Sequence, residues 1–179
     1  LRETCDRYDV LLIFDEIITG WGRSGTMFAA ETFGTVPDII CSGKALTNGT
    51  VPMGAMMVRE DMADAFKGDP EAGLNFSHGH TFSGNPLGCA AGISVIDEIV
   101  EQGLKEQARE RGDYLAMKLG KLKKLGVVRE IRGKGLILGV ELVRDIQSMN
   151  PFPELGIVLK QTALENGLIL RVDPTWFAL

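Results

Sequence analysis

VLLIFDE, residues 10–16, is the stretch that decides the fold, because a short run of apolar, β-forming residues ends there in two carboxylates. An uninterrupted apolar run of this length predicts a strand buried on both faces, as in the parallel sheet of an α/β protein. In open α/β sheets, ligands collect at the carboxyl ends of the strands. Asp15 would stand at such an end, which makes it a candidate functional residue.

A lysine follows the second predicted strand. A short apolar run at residues 39–41 leads into Ser42, Gly43 and Lys44, and a third strand is predicted at residues 55–58. A lone lysine after a glycine is usually a plain surface residue. Because Asp15 and Lys44 both follow predicted strands, we nevertheless expect a carboxylate and an amine near the strand ends of one sheet.

The hydrophobic pattern changes near Gly103. Before it, the chain carries short strands with polar ends and a helix of small residues that opens at Pro86. The elements predicted after it are a helix at 107–124, two strands around a glycine turn at 127–143, a helix at 156–166 and a strand at 168–172. We therefore predict two domains, 1–102 and 103–179. Both termini interrupt a fold, so we expect a fragment.

Charge and cysteine content argue against several classes of protein. The 24 acidic residues outnumber the 19 basic ones, and a net charge of -5 predicts no nucleic-acid partner. No apolar run reaches the roughly 18 residues that span a bilayer, so no membrane partner is expected. Cys5, Cys41 and Cys89 are odd in number and form no CxxC pair. We therefore expect no metal site, no disulfide and a reducing compartment, the cytoplasm.

Two other motif interpretations belong to different functional classes. An Asp-Glu pair after an apolar strand, as at residues 15–16, also serves ATPases, but the chain contains no phosphate loop of the form G-x-x-x-x-G-K-[ST]. GWGRSG at residues 20–25 formally matches the dinucleotide motif G-x-G-x-x-G, yet five residues separate it from the strand. A nucleotide-hydrolysing enzyme using Asp15-Glu16 and a catalytically silent binding protein stay as alternatives.

The motifs in their order resemble the class III aminotransferases, which are pyridoxal-phosphate enzymes of fold type I. The resemblance is carried by LLIFDEIITGWGRSGTMFAAETFGTVPDIICSGKALTNGTVPMGA (11–55), HGHTFSGNPLGCAAG (78–92), IRGKGLILGVELV (131–143) and GLILR (167–171). It implies an α/β fold in which 1–102 is the C-terminal part of the large cofactor-binding domain. Residues 103–179 would then form most of the small α+β domain, which is incomplete.

The resemblance also implies roles for individual residues. Asp15 matches the aspartate on the pyridine nitrogen, Lys44 the lysine that binds the cofactor covalently, and Ile17 the aliphatic residue on the ring face. Thr81 matches a threonine that reaches the cofactor phosphate of the neighbouring subunit, so a homodimer is expected. Arg171 matches an arginine that grips a substrate carboxylate in many members.

Three of the candidate residues also have a purely structural interpretation. Thr81 would be a turn residue ahead of a helix, and Arg171 an arginine at a strand end. Trp21 is either a wall of the substrate pocket or a core aromatic, and the sequence favours neither.

Transfer of an amino group to an oxo-acid such as pyruvate is the activity that this resemblance implies. KALTNGTVPMGA, residues 44–55, is most similar to members that use β-alanine, taurine or simple amines as donors. The same family includes aminomutases and decarboxylases with the same cofactor lysine. These remain alternatives for the reaction.

Overall fold

The computed structural model describes residues 1–173 and 175–178. By its internal contacts the chain divides into two compact units. The first comprises Leu1–Gly22 and Thr26–Leu104, and the second comprises Arg23–Gly25 and Lys105–Leu179. The assignment of these units to a large and a small domain stays a prediction.

A three-stranded sheet organises the first unit. Its strands β1 (Ile13–Asp15), β2 (Ile39–Ser42) and β3 (Ala55–Val58) lie in this order, with β1 parallel to β2 and β3 antiparallel to it. The helices are α1 (Arg2–Arg7), α2 (Ala29–Thr32), α3 (Glu60–Asp64) and α4 (Pro86–Glu101), with single 3-10 turns at Lys44–Leu46 and Pro70–Ala72. All three predicted strands are therefore present, and α4 opens at Pro86 as expected.

Strand β1 departs from its prediction in burial. Ile13 is 54% exposed and Leu11 is also exposed, whereas Leu12 is buried. The prediction of a strand buried on both faces is thus wrong for the chain as described. The reason is that only one face of β1 is covered among the described residues, since residues 11, 13 and 15 are exposed while residues 12 and 16, on the opposite face, are buried.

A buried aspartate ties the elements of the first unit together. Asp38, only 2% exposed, accepts hydrogen bonds from the backbone N–H of Leu12 at 2.7 Å, from Arg2 at 2.8 Å and from Arg59 at 2.5 Å. These partners come from α1, from the start of β1 and from the end of β3. The N–H of Leu12, followed by the guanidinium of Arg2, lowers the pKa of Asp38 below its usual value.

Loss of the Asp38 charge is predicted to destabilise the intact protein. Because the folded pKa is lowered, the contribution of Asp38 is present above the unfolded pKa of about 3.9 and is lost as the pH falls to the folded value. Asp38→Asn should lower the thermal midpoint at pH 7 and flatten its acid dependence, as measured by calorimetry. Asp64→Asn, which removes only an exposed pair with Lys67, should cost no more than about 0.5 kcal/mol. Equal thermal midpoints for both variants would contradict a stabilising role for the hydrogen bonds to Asp38.

The second unit is built on an antiparallel sheet of four strands in the order β4-β5-β7-β6. Its elements are α5 (Leu104–Gly120), a 3-10 turn (Lys121–Leu125), β4 (Val128–Lys134), β5 (Ile137–Leu142), α6 (Pro153–Glu165), β6 (Arg171–Asp173) and β7 (Trp176–Ala178). Its core consists of Val128, Val140, Leu142, Ala163, Leu170 and Phe177. The two strands around a glycine turn are confirmed, whereas β7 was not predicted. Within the part of the chain described, no helix has both the length and the apolar character needed to cross a membrane.

Glycines bring three backbone segments of the second unit into direct contact. A Cβ on Gly112 of α5 would lie 2.0 Å from the carbonyl oxygen of Gly135, in the turn between β4 and β5. A Cβ on Gly135 would in turn lie 2.4 Å from the carbonyl oxygen of Arg23, which accepts the N–H of Leu136 at 3.0 Å. Gly135 also has a φ of 55°, so the turn needs glycine for its conformation as well.

Gly112→Ala is therefore predicted to destabilise the intact protein by about 1–3 kcal/mol, because backbone atoms would have to move to admit the methyl group. Gly120→Ala on the same helix is the matched control, since nothing lies within 4 Å of its Cβ position. That variant should be neutral or stabilising by up to about 1 kcal/mol. Denaturant unfolding measures both, and a neutral Gly112→Ala would contradict the close contact.

Candidate active site

Asp15 and Lys44 stand at the ends of adjacent parallel strands. Asp15 is the last residue of β1 and lies opposite Cys41 of β2, while Lys44 follows β2 after Gly43. Parallel strands end at the same edge of a sheet, so the two residues follow neighbouring strand ends. Both are exposed. The carboxylate and the amine are thus accessible to a ligand.

The carboxylate of Asp15 has one backbone partner. Its Oδ1 accepts the N–H of Ile17 at 3.0 Å. Among residues 1–173 and 175–178 it makes no ion pair. One face of this carboxylate is therefore oriented by the backbone, and its other oxygen is available to a cationic group.

Lys44 occupies a strained backbone conformation. Its φ is 43°, in the left-handed region that side chains other than glycine seldom adopt. The following residues hold it there, since Leu46 is buried and Thr47, also buried, donates its hydroxyl to the carbonyl of Val51 at 2.6 Å. Strain that the surroundings maintain is concentrated at functional sites.

No carboxylate neutralises Lys44 within the described residues. The other lysine of the first unit, Lys67, donates to Asp64 at 2.6 Å. An amine that must act as a nucleophile has to lose its proton, and an adjacent carboxylate would oppose that loss. The two lysines thus differ in the environment that reactivity requires.

Ile17 lies close to the strand end that carries Lys44. A Cβ on Gly43 would stand 3.8 Å from Cγ2 of Ile17 and 3.5 Å from the carbonyl oxygen of Met53. The aliphatic side chain of Ile17 is therefore close to the residue before Lys44. The structure accordingly brings Ile17 beside Gly43, at the edge where Asp15 ends β1 and Lys44 follows β2.

Thr81 lies in an exposed segment of the first unit. Every residue from 71 to 87 is exposed, and the hydroxyl of Thr81 has no hydrogen-bond partner in the described portion of the chain. The segment ends at Asn85, whose side chain accepts the N–H groups of Leu87 at 2.9 Å and Gly88 at 3.4 Å and so caps α4. Among the described residues, no hydrogen bond joins Thr81 to Asp15 or to Lys44.

The same segment borders an open cleft of about 1010 Å³. The rings of Phe76, His78 and His80 contact one another edge to face at its border, with centroids 5.5 and 4.9 Å apart. Asp15 and Lys44 do not line this cleft. Its size alone therefore does not mark the candidate site, which is identified by the chemistry at the strand ends.

Trp21 has features of both interpretations considered above. Its ring packs edge to face against Phe28 with centroids 4.9 Å apart, as a core aromatic would. Its Nε1 is nevertheless buried with no hydrogen-bond partner among the described residues, and its φ is 61°. An unpaired buried N–H is energetically costly, so it is a donor suited to a group that is brought to it.

Arg171 belongs to the second unit, where it is the first residue of β6. It is exposed, and its guanidinium lies 5.7 Å from the ring centroid of Trp176. No carboxylate pairs with it in residues 1–173 and 175–178. Its donors are therefore available to an anionic group.

Glu16 is the residue whose role the sequence did not reveal. The sequence shows it only as half of an acidic pair, yet it is 1% exposed and accepts the backbone N–H groups of Ala29 at 2.9 Å and Ala30 at 2.8 Å. The one signal in the sequence is alternation, because neighbouring residues of a strand face opposite sides. With Asp15 exposed, Glu16 has to face inward.

Comparisons with known proteins agree on one family. The model of the family "Aminotransferase class-III" matches residues 1–177. An adenosylmethionine-8-amino-7-oxononanoate aminotransferase of Nitratidesulfovibrio vulgaris is 40% identical over 96% of the chain, and a beta-alanine–pyruvate aminotransferase of Pseudomonas aeruginosa is 38% identical over 99%. An amine transaminase from an uncultivated Pseudomonas species, solved in the PLP-bound form, superposes with a TM-score of 0.93 at 36% identity over 99% of the chain.

The chain is much shorter than these relatives. It spans 32% of the length of the first, 41% of the second and 41% of the solved transaminase. Roughly three fifths or more of each relative therefore has no counterpart in the sequence described.

The residues at the two strand ends fit pyridoxal phosphate. The fit rests on a carboxylate and a lysine that form no ion pair within the described residues, and on an aliphatic side chain close to that lysine's strand end. A protonated pyridine nitrogen requires an anionic acceptor, and an aldehyde requires an amine. Asp15 and Lys44 would hold the group from its two reactive ends, with Ile17 against the ring.

Asn85→Ala is predicted to destabilise α4 by about 1 kcal/mol, because two N–H groups at the helix start lose their acceptor. Asn85→Asp keeps a side-chain oxygen in place and should stay within a few tenths of a kcal/mol of the parent. Thermal unfolding of the intact protein measures both. Equal losses in the two variants would show that the cap is not what the asparagine supplies.

Proposed function

The chain belongs to the class III aminotransferases, and on that basis we propose that the intact protein transfers an amino group from a donor amine to an oxo-acid with pyridoxal phosphate as its cofactor. The observation that carries the proposal is the placement of Asp15 and Lys44 at the ends of two adjacent parallel strands. A carboxylate and an unpaired amine at one sheet edge are the two groups that this cofactor requires from the protein.

When bound, pyridoxal phosphate supplies an electron sink for the substrate carbon that loses its proton. Asp15 holds a proton on the ring nitrogen, which keeps that sink effective. A carboxylate against a protonated nitrogen contributes on the order of 4 kcal/mol at an effective dielectric of about 20. That attraction is large enough to keep the ring nitrogen protonated.

Lys44 acts twice in the proposed cycle. It would hold the cofactor through Nζ, which no carboxylate pairs with among the described residues. The same Nζ would also act as a general base that carries the proton leaving the substrate α-carbon. An arginine cannot do either, because its guanidinium does not lose its proton.

The donor is proposed to be an amine or an ω-amino acid of the β-alanine or taurine type, with pyruvate as an acceptor. The beta-alanine–pyruvate aminotransferase among the relatives supports this class. Arg171 would bind a substrate carboxylate through its planar donors, and Trp21 would border the substrate through its unpaired N–H.

The 40% identity to the adenosylmethionine-8-amino-7-oxononanoate aminotransferase favours a second proposal, in which adenosylmethionine and 8-amino-7-oxononanoate are the two substrates. A screen of amino donors with pyruvate as the acceptor separates the two proposals, because only the first of them uses pyruvate. Isomerisation of an amino substrate, or release of carbon dioxide, without transfer to an oxo-acid would instead place the protein in the mutase or decarboxylase branch.

Thr81 is proposed to reach the cofactor phosphate held by a second copy of the chain. Its hydroxyl is exposed and unpaired in the described residues, and it lies shortly before the N-terminus of α4, which favours anions. The working unit would then be a homodimer.

Lys44 is predicted to be the lysine that borohydride links to the cofactor. The intact protein is mixed with pyridoxal phosphate, its visible absorbance is recorded, and the pyridoxyl peptide is located by mass spectrometry after reduction. We expect the adduct on Lys44 and its loss in Lys44→Arg. Lys67→Arg is the matched control, since the first unit contains only these two lysines and Lys67 is paired with Asp64. A colourless parent protein that forms no adduct would contradict the proposal.

Asp15→Asn is predicted to keep the fold and the adduct but to lower transaminase turnover by at least about a hundredfold, because an amide cannot hold the ring proton. Single-turnover kinetics with the preferred donor measure the loss. Turnover near that of the parent would remove Asp15 from the mechanism.

A further inference from the structure

Glu16 is a buried carboxylate that the proposed chemistry does not use. Its Oε1 accepts the N–H of Ala30, and its Oε2 accepts the N–H of Ala29 together with the hydroxyl of Thr19. Every partner is a donor, so the side chain has to act as an acceptor at both oxygens. Glu16 thus joins the segment that follows β1 to the first residues of α2.

The backbone of Glu16 is fixed as firmly as its side chain. Its N–H donates to the carbonyl of Cys41 at 2.8 Å, which extends the β1–β2 ladder by one residue. Its carbonyl accepts the N–H of Gly20 at 3.0 Å, and a Cβ on Gly20 would lie 2.8 Å from that oxygen. The peptide units on both sides of Glu16 therefore have a single orientation.

One of these peptide units orients Asp15. The N–H of Ile17, which belongs to the peptide bond between Glu16 and Ile17, donates to Oδ1 of Asp15 at 3.0 Å. The direction of that N–H follows from the anchoring of Glu16. The carboxylate that would face the cofactor is thus held by a bond whose geometry Glu16 determines.

We propose that Glu16 is a positioning residue, whose buried carboxylate fixes the turn after β1 and thereby aims the carboxylate of Asp15 at the ring nitrogen of the cofactor. This inference rests on the proposed function. It assigns to the second acid of the Asp15-Glu16 pair a role that requires a carboxylate rather than any polar side chain of the same shape.

The requirement follows from the two N–H groups. A glutamine at position 16 would replace one oxygen by an NH2 group, and that group would then face the N–H of either Ala29 or Ala30. Turning the amide by 180° does not help, because the NH2 group then faces the other of these two N–H groups. Glu31 on the same helix is different, because among the described residues its exposed carboxylate accepts only the N–H of Phe28, at 3.0 Å. A glutamine there keeps that bond and turns its NH2 group to solvent.

The test compares Glu16→Gln with Glu31→Gln in the intact protein. Binding of pyridoxal phosphate is titrated by its visible absorbance, the pH midpoint of that absorbance is determined, and thermal midpoints are measured without the cofactor. We expect Glu16→Gln to weaken cofactor binding by about tenfold or more, the order of loss when an outer partner of a ligating group is removed. Its absorbance midpoint should also move away from that of the parent, whereas Glu31→Gln should match the parent in both.

Thr19→Val provides a second variant in case Glu16→Gln does not fold. It removes one donor and leaves the carboxylate in place, so it should shift the same two readouts in the same direction by a smaller amount. A lower thermal midpoint with parental cofactor affinity and absorbance, in Glu16→Gln or in Thr19→Val, would overturn the proposal and leave Glu16 a purely structural role. A parent that binds no pyridoxal phosphate would instead overturn the proposed function itself.

Discussion

The parallel pairing of β1 with β2 is the constraint on which the candidate site depends. Asp15 lies opposite Cys41, and the ladder continues through the N–H of Glu16. Because both strands run in the same direction, the residue that ends one and the lysine that follows the other come to the same edge of the sheet. An antiparallel pairing of the same two strands would have put Asp15 and Lys44 at opposite edges.

The two aspartates of this sheet have opposite environments. Asp38 is buried and accepts from two arginines and a backbone N–H, so its charge is fully compensated and contributes to the stability of the first unit. Asp15 is exposed and, in the described part of the chain, accepts a hydrogen bond from one N–H alone. Residues that bind ligands commonly leave such local requirements unmet, while structural residues satisfy them. The contrast distinguishes the carboxylate that stabilises the sheet from the one that can act on a ligand.

The sequence was sufficient for features that depend on local pattern. Apolar runs located the strands, and the positions of Asp15 and Lys44 after them followed directly. Features set by distant residues could not be predicted. The exposure of β1 depends on what covers each of its faces, and the left-handed backbone of Lys44 depends on the loop that packs behind it. The burial of Glu16 depends on the approach of α2. Strand β7 escaped prediction because its three residues do not lie in a longer apolar run of the kind that marked β1 and β6.

The two tryptophans of the chain are divided between the two units. Trp21, with its buried and unpaired indole N–H, lies in the unit that carries Asp15 and Lys44, whereas Trp176 lies under the guanidinium of Arg171 in the other. Each unit thus contains one intrinsic fluorophore in a distinct environment. With Trp176 replaced by phenylalanine, the emission contributed by this part of the protein would come from the first unit alone, so the ordering of that unit can be followed in time separately from that of the second.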